Sequence, residues 1–184
     1  MSARLAILGG VDAPPLGGSI ELVSPCLPPE FSGRWEHADV LYTVRGQRAG
    51  EPVYQACLNK VQKVLYRKLT KASEAADADF YAFSFYYDRA VDLGVIGKMR
   101  RREELSESLT TSKLLKELFP AVCSGLLEPQ RPFLCLDLVY ISVLLQELGF
   151  PHHKQLRLAR TINQVETSWA LGATFQHLES WRKH

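Results

Sequence analysis

Two short segments of the chain carry the residue pattern of β-strands. Residues 40–44 are rich in the β-branched and aromatic side chains that favour strands. Residues 79–86 form an aromatic run bounded by polar residues, which is typical of a strand that is buried on both faces. The Pro- and Gly-rich residues 11–33 are typical of a loop. The pattern therefore predicts a long loop followed by two strands.

Apolar side chains recur at helical spacing in several other segments. In the segment opened by Glu51 and Pro52, the apolar positions are Cys57, Val61, Val64 or Leu65, and Leu69. Glycine is common just beyond a helix end, so Gly9 and Gly149 predict where two of the helices stop. The predicted helices are residues 1–8, the segment from Glu51, and residues 88–96, 112–124, 137–148 and 166–181.

The alternation of strands and helices predicts the α/β class, in which helices cover a mixed sheet. A chain of 184 residues is long enough for one domain that buries about 70% of its unfolded surface. The sequence has no internal repeat, no low-complexity tract and no long linker. We therefore expect a single domain.

The charge distribution argues against a broad polyanion-binding surface. Lys and Arg number 22 against 20 Asp and Glu, and so balanced a charge predicts neither a nucleic-acid nor a membrane footprint. The longest apolar run, residues 138–145, is much shorter than the roughly 20 residues of a membrane span. The basic run at residues 98–102 is typical of a solvated loop, and phosphate attraction or a sorting signal is the alternative. Residues 1–10 lack the regions of a signal peptide, so they name no compartment.

Ionisable side chains form no local catalytic or metal-binding pattern. Asp88, Asp92 and Asp137 can act as cleft carboxylates only if folding gathers them, and helix caps or surface acids are the alternative. His152 and His153 are adjacent, which does not match the i, i+4 spacing of a helical metal site. From these patterns we predict no catalytic residue and no metal ligand.

The four cysteines neither require nor exclude disulfide bonds. None of them has the C-x-x-C spacing of a zinc or redox site. Free core thiols are one interpretation. Two disulfide bonds are the other interpretation, and four cysteines can pair in three ways.

The segment at residues 163–172, N-Q-V-E-T-S-W-A-L-G, concentrates polar side chains at the start of the last predicted helix. Asn163 and Glu166 have the spacing of a capping box, in which the two side chains satisfy backbone N–H groups. A cleft lining is the other interpretation, because the run combines amide, carboxylate, hydroxyl and indole groups and closes on Gly172. A glycine lets the backbone come close to a neighbour, so the spacing alone leaves both interpretations open.

Residues 163–172 also resemble the last signature region of the apyrases, the ectonucleoside di- and triphosphate diphosphohydrolases. Residues 1–10, 79–88 and 132–138 resemble successive segments of the same family, in the same order. The similarity weakens only between residues 97 and 118. Because members of the family are much longer, the resemblance implies the C-terminal lobe of a secreted or Golgi nucleoside diphosphatase. The implied fold is a ribonuclease-H-like, actin-like lobe with a mixed sheet covered by helices.

The resemblance also implies which functional parts this chain lacks. The family holds phosphates with loops of the D-x-G-[ST] and D-L-G-G-x-S kinds and activates water with a glutamate of its N-terminal lobe, and neither loop occurs here. Pro15 stands where the second loop would need Asp, so we interpret residues 15–19 as a turn. We therefore expect residues 1–184 alone to be inactive, with the N-terminal lobe of the same parent protein as partner.

The implied reaction belongs to the intact enzyme. Such an enzyme would use Ca or Mg to convert a nucleoside diphosphate such as UDP, GDP or IDP to the monophosphate. A non-catalytic truncated product, or a lumenal binding module, is the alternative from a different functional class.

The nucleobase side of the cleft is the part that the resemblance assigns to this chain. Aromatic rings stack on bases and contribute about 1–3 kcal/mol per base. The resemblance implies that Tyr86 or Tyr87 faces the base, and that Asn163, Glu166 and Trp169 line the same cleft. A core aromatic cluster is the alternative for the tyrosines. The three phenylalanines of that segment, Phe80, Phe83 and Phe85, are expected in the core.

The same resemblance singles out one disulfide pairing, Cys26 with Cys57 and Cys123 with Cys135. Each bridge would contribute roughly 3–4 kcal/mol in the chain-entropy model and would need an oxidising compartment. The implied location is the lumen of the Golgi or endoplasmic reticulum, or the outside of the cell.

Overall fold

The computed structural model of the chain describes residues 2–10, 20–48, 53–82, 85–93, 107–110, 119–126, 130–151, 153–159, 161–162 and 165–166. The chain divides into two compact units. Unit 1 comprises Met1–Asp77 and Thr111–Lys154, and unit 2 comprises Ala78–Thr110 and Gln155–His184. The expectation that residues 1–184 form one lobe of a longer protein stays a prediction.

Helices and strands alternate along the described residues, which confirms the mixed α/β class. In chain order, the described elements are α1 (Ala3–Leu8), β1 (Ile20–Ser24), β2 (Ser32–His37), β3 (Val40–Gly46), α2 (Val53–Leu65), β4 (Tyr81–Ala82), α3 (Phe85–Asp92), β5 (Glu107–Thr110), α4 (Phe119–Cys123), α5 (Leu134–Glu147), β6 (Gln155–Leu158), β7 (Thr161–Ile162) and β8 (Val165–Glu166). None of the described helices is long and apolar enough to cross a membrane.

The sheet of unit 1 has three strands in the order β1–β3–β2. Strand β3 pairs in parallel with β1 and antiparallel with β2, and the prediction of a strand at residues 40–44 is confirmed. The loop predicted for residues 11–33 is wrong at Ile20–Ser24, which is strand β1, and at Ser32 and Gly33, where β2 begins. The buried positions of β1 are only Leu22 and the polar Ser24, so its apolar alternation is too short to predict a strand.

Helices α1, α2, α4 and α5 build the core of unit 1. Helix α2 buries Cys57, Val61 and Leu65, as their helical spacing predicted, although Leu69 lies beyond the helix end. Helix α5 packs against both α2 and α4. It begins three residues before the predicted start at residue 137 and ends before Gly149, whose φ is 94°. The helix predicted at residues 112–124 is described only from residue 119 to residue 123.

Helix α1 ends as its glycines predicted. Gly9 has a φ of 102°, in the left-handed region that favours glycine. The N–H group of Gly10 donates to the Leu5 carbonyl at 2.9 Å and thereby satisfies one of the last carbonyls of the helix.

Two disulfide bonds link the elements of unit 1. Cys26 is bonded to Cys57, which ties the end of β1 to α2, and Cys123 is bonded to Cys135, which ties α4 to α5. All four cysteines are buried. The pairing that the family resemblance singled out is therefore confirmed.

The sheet of unit 2 has three strands in the order β4–β6–β5, with β4 parallel to β6 and β5 antiparallel to it. The prediction of one buried strand over residues 79–86 is wrong. Strand β4 has only two residues, Tyr81 is 46% exposed, and helix α3 already begins at Phe85. The aromatic run therefore combines the end of a strand with the first turn of a helix.

Strands β7 and β8 form a second, antiparallel pair in unit 2. Glu166 belongs to β8, so the prediction that a helix starts at residue 166, with Glu166 as part of a capping box, is wrong at that residue. The remainder of that predicted helix lies outside the described residues.

Candidate functional site

The parallel pair β4 and β6 organises the candidate site in unit 2. The N–H group of Arg157 donates to the Phe80 carbonyl at 3.0 Å, and that of Ala159 donates to the Ala82 carbonyl at 3.1 Å. Because the strands are parallel, the chain leaves both of them at the same edge of the sheet. Ligands of α/β proteins bind outside this carboxyl-terminal edge.

Two distant parts of the sequence leave the sheet together at this edge. After β4 the chain enters α3, which carries Tyr86 and Tyr87. After β6 it enters the β7–β8 pair, where Asn163 and Gln164 join the two strands in sequence and Glu166 lies in β8. The chain thus leaves two neighbouring strands, β4 for α3 and β6 for the β7–β8 pair, at one edge of the sheet. Asn163 and Trp169 themselves lie outside the described residues.

Helix α3 sets the exposure of the candidate tyrosines. Tyr86 and Tyr87 are half-buried in its first turn, whereas sequence analysis placed them at the end of a strand. Phe85 was expected in the core but is 39% exposed. Phe80 is half-buried, and Phe83 lies outside the described residues.

Two charged residues of the same helix, Arg89 and Asp92, lie near these aromatic residues. The guanidinium carbon of Arg89 lies 5.1 Å from the centroid of the Phe85 ring. Arg89 Nη2 is 3.0 Å from Asp92 Oδ2. Residues at i, i+3 and i, i+4 on a helix are neighbours, so the sequence itself sets up these contacts.

The three candidate cleft carboxylates lie on two helices, Asp88 and Asp92 on α3 and Asp137 on α5. Asp88 is exposed on α3, and Asp92 is paired with Arg89. Asp137 is buried in α5 of unit 1, where its Oδ1 lies 3.9 Å from Arg4 Nη2. Among the residues that the structure describes, no three His, Cys, Asp or Glu side chains are grouped so that they could hold a metal ion.

Arg157 is a residue that sequence analysis missed. It lies directly opposite Tyr81 in the β4–β6 register, and its Nη2 is 3.0 Å from Asp79 Oδ2. A hydrogen bond with Tyr81, followed by the attraction of Asp79, raises the pKa of the Arg157 guanidinium above its ordinary value. The only sequence signal was the i, i+2 spacing of Asp79 and Tyr81, which places both on one face of a strand.

Comparison with known protein families assigns the chain. The model of the GDA1/CD39 (nucleoside phosphatase) family matches residues 16–183. The chain belongs to the GDA1/CD39 family. The resemblance to the apyrase signature regions is thereby confirmed at the level of the family.

Curated members of the GDA1/CD39 family are similar to the chain over nearly all of its length. Ectonucleoside triphosphate diphosphohydrolase 6 of Rattus norvegicus is 48% identical over 186 residues, which cover 100% of this chain and 39% of the relative. The protein of the same name from Homo sapiens is 48% identical over 182 residues, covering 98% of this chain and 36% of the relative. Nucleoside diphosphate phosphatase ENTPD5 of Homo sapiens is 36% identical over 186 residues, covering 97% of this chain and 41% of the relative. The chain thus spans about two fifths of the length of these relatives.

Proposed function

We propose that this chain supplies the nucleobase side of the cleft in a nucleoside diphosphate phosphohydrolase. The observation that carries the proposal is the parallel pairing of β4 and β6. Because of it, the chain leaves the same edge of the sheet towards α3, which carries Tyr86 and Tyr87, and towards the β7–β8 pair, which includes Glu166. An aromatic and an amide-rich segment that leave one sheet edge together are suited to stack on a base and to hydrogen-bond its edge.

The comparisons support a nucleoside diphosphate as substrate. The family is one of nucleoside phosphatases, and the name of one human relative specifies a nucleoside diphosphate phosphatase. We propose UDP, GDP or IDP as the substrate, with the nucleoside monophosphate and phosphate as products.

We propose that the N-terminal lobe supplies the groups that carry out the chemical step. Hydrolysis of a phosphoanhydride depends on a positioned water and on a metal ion that neutralises developing charge, with little covalent chemistry for the protein. We propose that Ca or Mg serves the intact enzyme and that an N-terminal lobe of the same protein carries the phosphate loops.

The proposal also covers the architecture of the protein and the compartment in which it is found. We propose that the two units belong to one ribonuclease-H-like, actin-like lobe. The buried disulfides, Cys26–Cys57 and Cys123–Cys135, suit an oxidising compartment, which supports the secretory lumen or the outside of the cell.

Alanine substitution of the two tyrosines tests the proposal in the complete natural protein. Loss of a ring that stacks on the base should lower kcat/KM for UDP roughly five- to 150-fold in Tyr86→Ala or Tyr87→Ala, since such contacts contribute about 1–3 kcal/mol. The measurement combines steady-state phosphate release with the Kd of UDP by calorimetry and with Tm.

Tyr66 provides the matched control. It is a 64% exposed tyrosine in unit 1, beyond the end of α2, so Tyr66→Ala should leave the kinetics unchanged. Wild-type kcat/KM and UDP affinity in both Tyr86→Ala and Tyr87→Ala would disprove the base-side assignment.

A further inference from the structure

Strand β4 is short for an element that sets the position of a binding helix. It contains only Tyr81 and Ala82, whereas strands commonly have five or six residues. It pairs with β6 at only two register positions, Tyr81 with Arg157 and Ala82 with Leu158. So short a ladder leaves room for side chains to specify the register.

The side chains of Asp79, Tyr81 and Arg157 form such a contact, which we call the register clamp. Asp79 and Tyr81 are two residues apart and therefore project to the same face. Arg157 is the register partner of Tyr81 and reaches both side chains: Asp79 Oδ2 at 3.0 Å and the Tyr81 ring centroid at 5.9 Å from its guanidinium carbon. A slip of one residue would turn Asp79 and Tyr81 to the opposite face, so the clamp fits a single register.

The register of β4 determines where α3 begins. Only two residues separate Ala82 from Phe85, and an extended chain spans at most about 3.6 Å per residue. A slip of one residue moves a strand by about 3.3 Å, which so short a connection would pass on to the first turn of α3. Tyr86 and Tyr87 lie in that turn. The other partner strand, β6, leads after two residues into β7.

We infer that Arg157 is a positioning residue, which fixes β4 against β6 and thereby holds the aromatic start of α3 in place for the nucleobase. The inference rests on the proposed function. It assigns Arg157 no contact with the nucleotide. Its effect is expected on substrate binding, because the base lies away from the bond that is broken.

The central test replaces Arg157 with methionine in the complete natural protein. Arg157→Met keeps an apolar stem but removes the charge and both contacts of the register clamp. We expect KM for UDP to rise about three- to tenfold with kcat within about twofold, since loss of uniform binding raises KM alone. Where turnover is too slow, the Kd of UDP by calorimetry replaces KM. Arg157→Lys keeps the attraction to Asp79 and should recover part of the affinity.

Arg45 provides a matched control in the other sheet. Its Nε is 2.8 Å from Glu21 Oε1, and both side chains are about half exposed, as the side chain of Arg157 is. Arg45→Met makes the same chemical change in another exposed cross-strand ion pair. We expect it to leave KM unchanged, and an equal rise in KM would overturn the inference.

A double-mutant cycle separates positioning from direct contact. If Arg157 acts through the tyrosine that carries base binding, Arg157→Met should add little once that tyrosine is alanine. Full additivity would show that Arg157 acts independently of that tyrosine, which would overturn its role as a positioning residue. A wild-type KM in Arg157→Met, with a raised KM in a tyrosine variant, would also overturn the inference but leave the proposed function intact.

Wild-type kinetics in both tyrosine variants would instead disprove the proposed function. If Arg157→Met does not fold, Asp79→Asn and Tyr81→Leu weaken the register clamp one contact at a time. Each variant should raise KM for UDP by less than the three- to tenfold rise expected for Arg157→Met. A wild-type KM in both would count against the clamp, provided that Tm shows them to be folded.

Discussion

At the scale of a residue, the buried hydroxyl group of Ser24 connects β1 to α1 and to the turn that contains Cys26. It is fully buried at the end of β1, where its Oγ donates to the Ile7 carbonyl at 2.9 Å and accepts from the Cys26 N–H group at 3.2 Å. Ser24→Ala would leave both backbone groups without this partner. We expect it to lower the free energy of unfolding by about 1–3 kcal/mol, measured by chemical denaturation.

Ser73 serves as the control for this prediction. Its hydroxyl donates to Glu74 Oε2 at 2.6 Å, but the pair is exposed, so water replaces the lost bond. Ser73→Ala should change the free energy of unfolding by less than about 0.5 kcal/mol. Equal losses for the two variants would show that burial does not decide the cost.

At the scale of an element, the turn of the β2–β3 hairpin holds Ala38 in a backbone conformation that does not suit its side chain. Its two turn residues, Ala38 and Asp39, have φ values of 50° and 60°. Positive φ at both positions defines a type I′ turn, which matches the twist of a hairpin and favours Asn followed by Gly. Alanine is poorly suited to this conformation, in which an L-residue other than Gly, Asn or Asp is strained by roughly 1–2 kcal/mol.

Replacing Ala38 with asparagine should therefore stabilise the protein by about 1 kcal/mol, measured as an increase in the free energy of unfolding. Ala38→Val is the opposing variant at the same position, because a β-branched side chain is a genuine outlier at positive φ. We expect Ala38→Val to destabilise the hairpin. A loss of stability in Ala38→Asn would contradict the turn type.

The two disulfides act at the scale of the whole molecule by restricting the unfolded chain. Cys26 and Cys57 are 31 residues apart, and Cys123 and Cys135 are 12 apart. In the chain-entropy model these loops correspond to about 3.7 and 2.8 kcal/mol at 25 °C. Replacing both cysteines of a pair with alanine should therefore cost more for Cys26 and Cys57, as measured by chemical denaturation without reductant.

Hydrogen exchange can show which part of the molecule each disulfide stabilises. Both bridges lie in unit 1. Amides of α2 and α5 should exchange faster in the double-alanine variants, while amides of β6 in unit 2 should change less. An equal acceleration in the two units would show that they unfold together. A larger loss for the pair at Cys123 and Cys135 would contradict the entropy argument and point to packing around α5 instead.

The sequence by itself determined the elements whose signals are local. Periodic apolar positions and flanking glycines predicted α1, α2 and α5, because a helix is built from contacts three or four residues apart and its end from the residue just beyond. The β-branched and aromatic residues of β3 likewise predicted a strand. The family resemblance gave the cysteine pairing that the spacing left open, and its assignment of Tyr86, Tyr87, Asn163 and Glu166 to the cleft stays a prediction.

Only the tertiary structure decided the features that depend on distant partners. Strand β1 buries only one apolar side chain, Leu22, and is defined by its pairing with β3, while the two-residue β4 exists through its pairing with β6. The helical start at Phe85 and the extended conformation of Glu166 contradict the local pattern. Arg157 had no signal of its own, because its role depends on Asp79 and Tyr81, which come beside it only when the parallel pair forms.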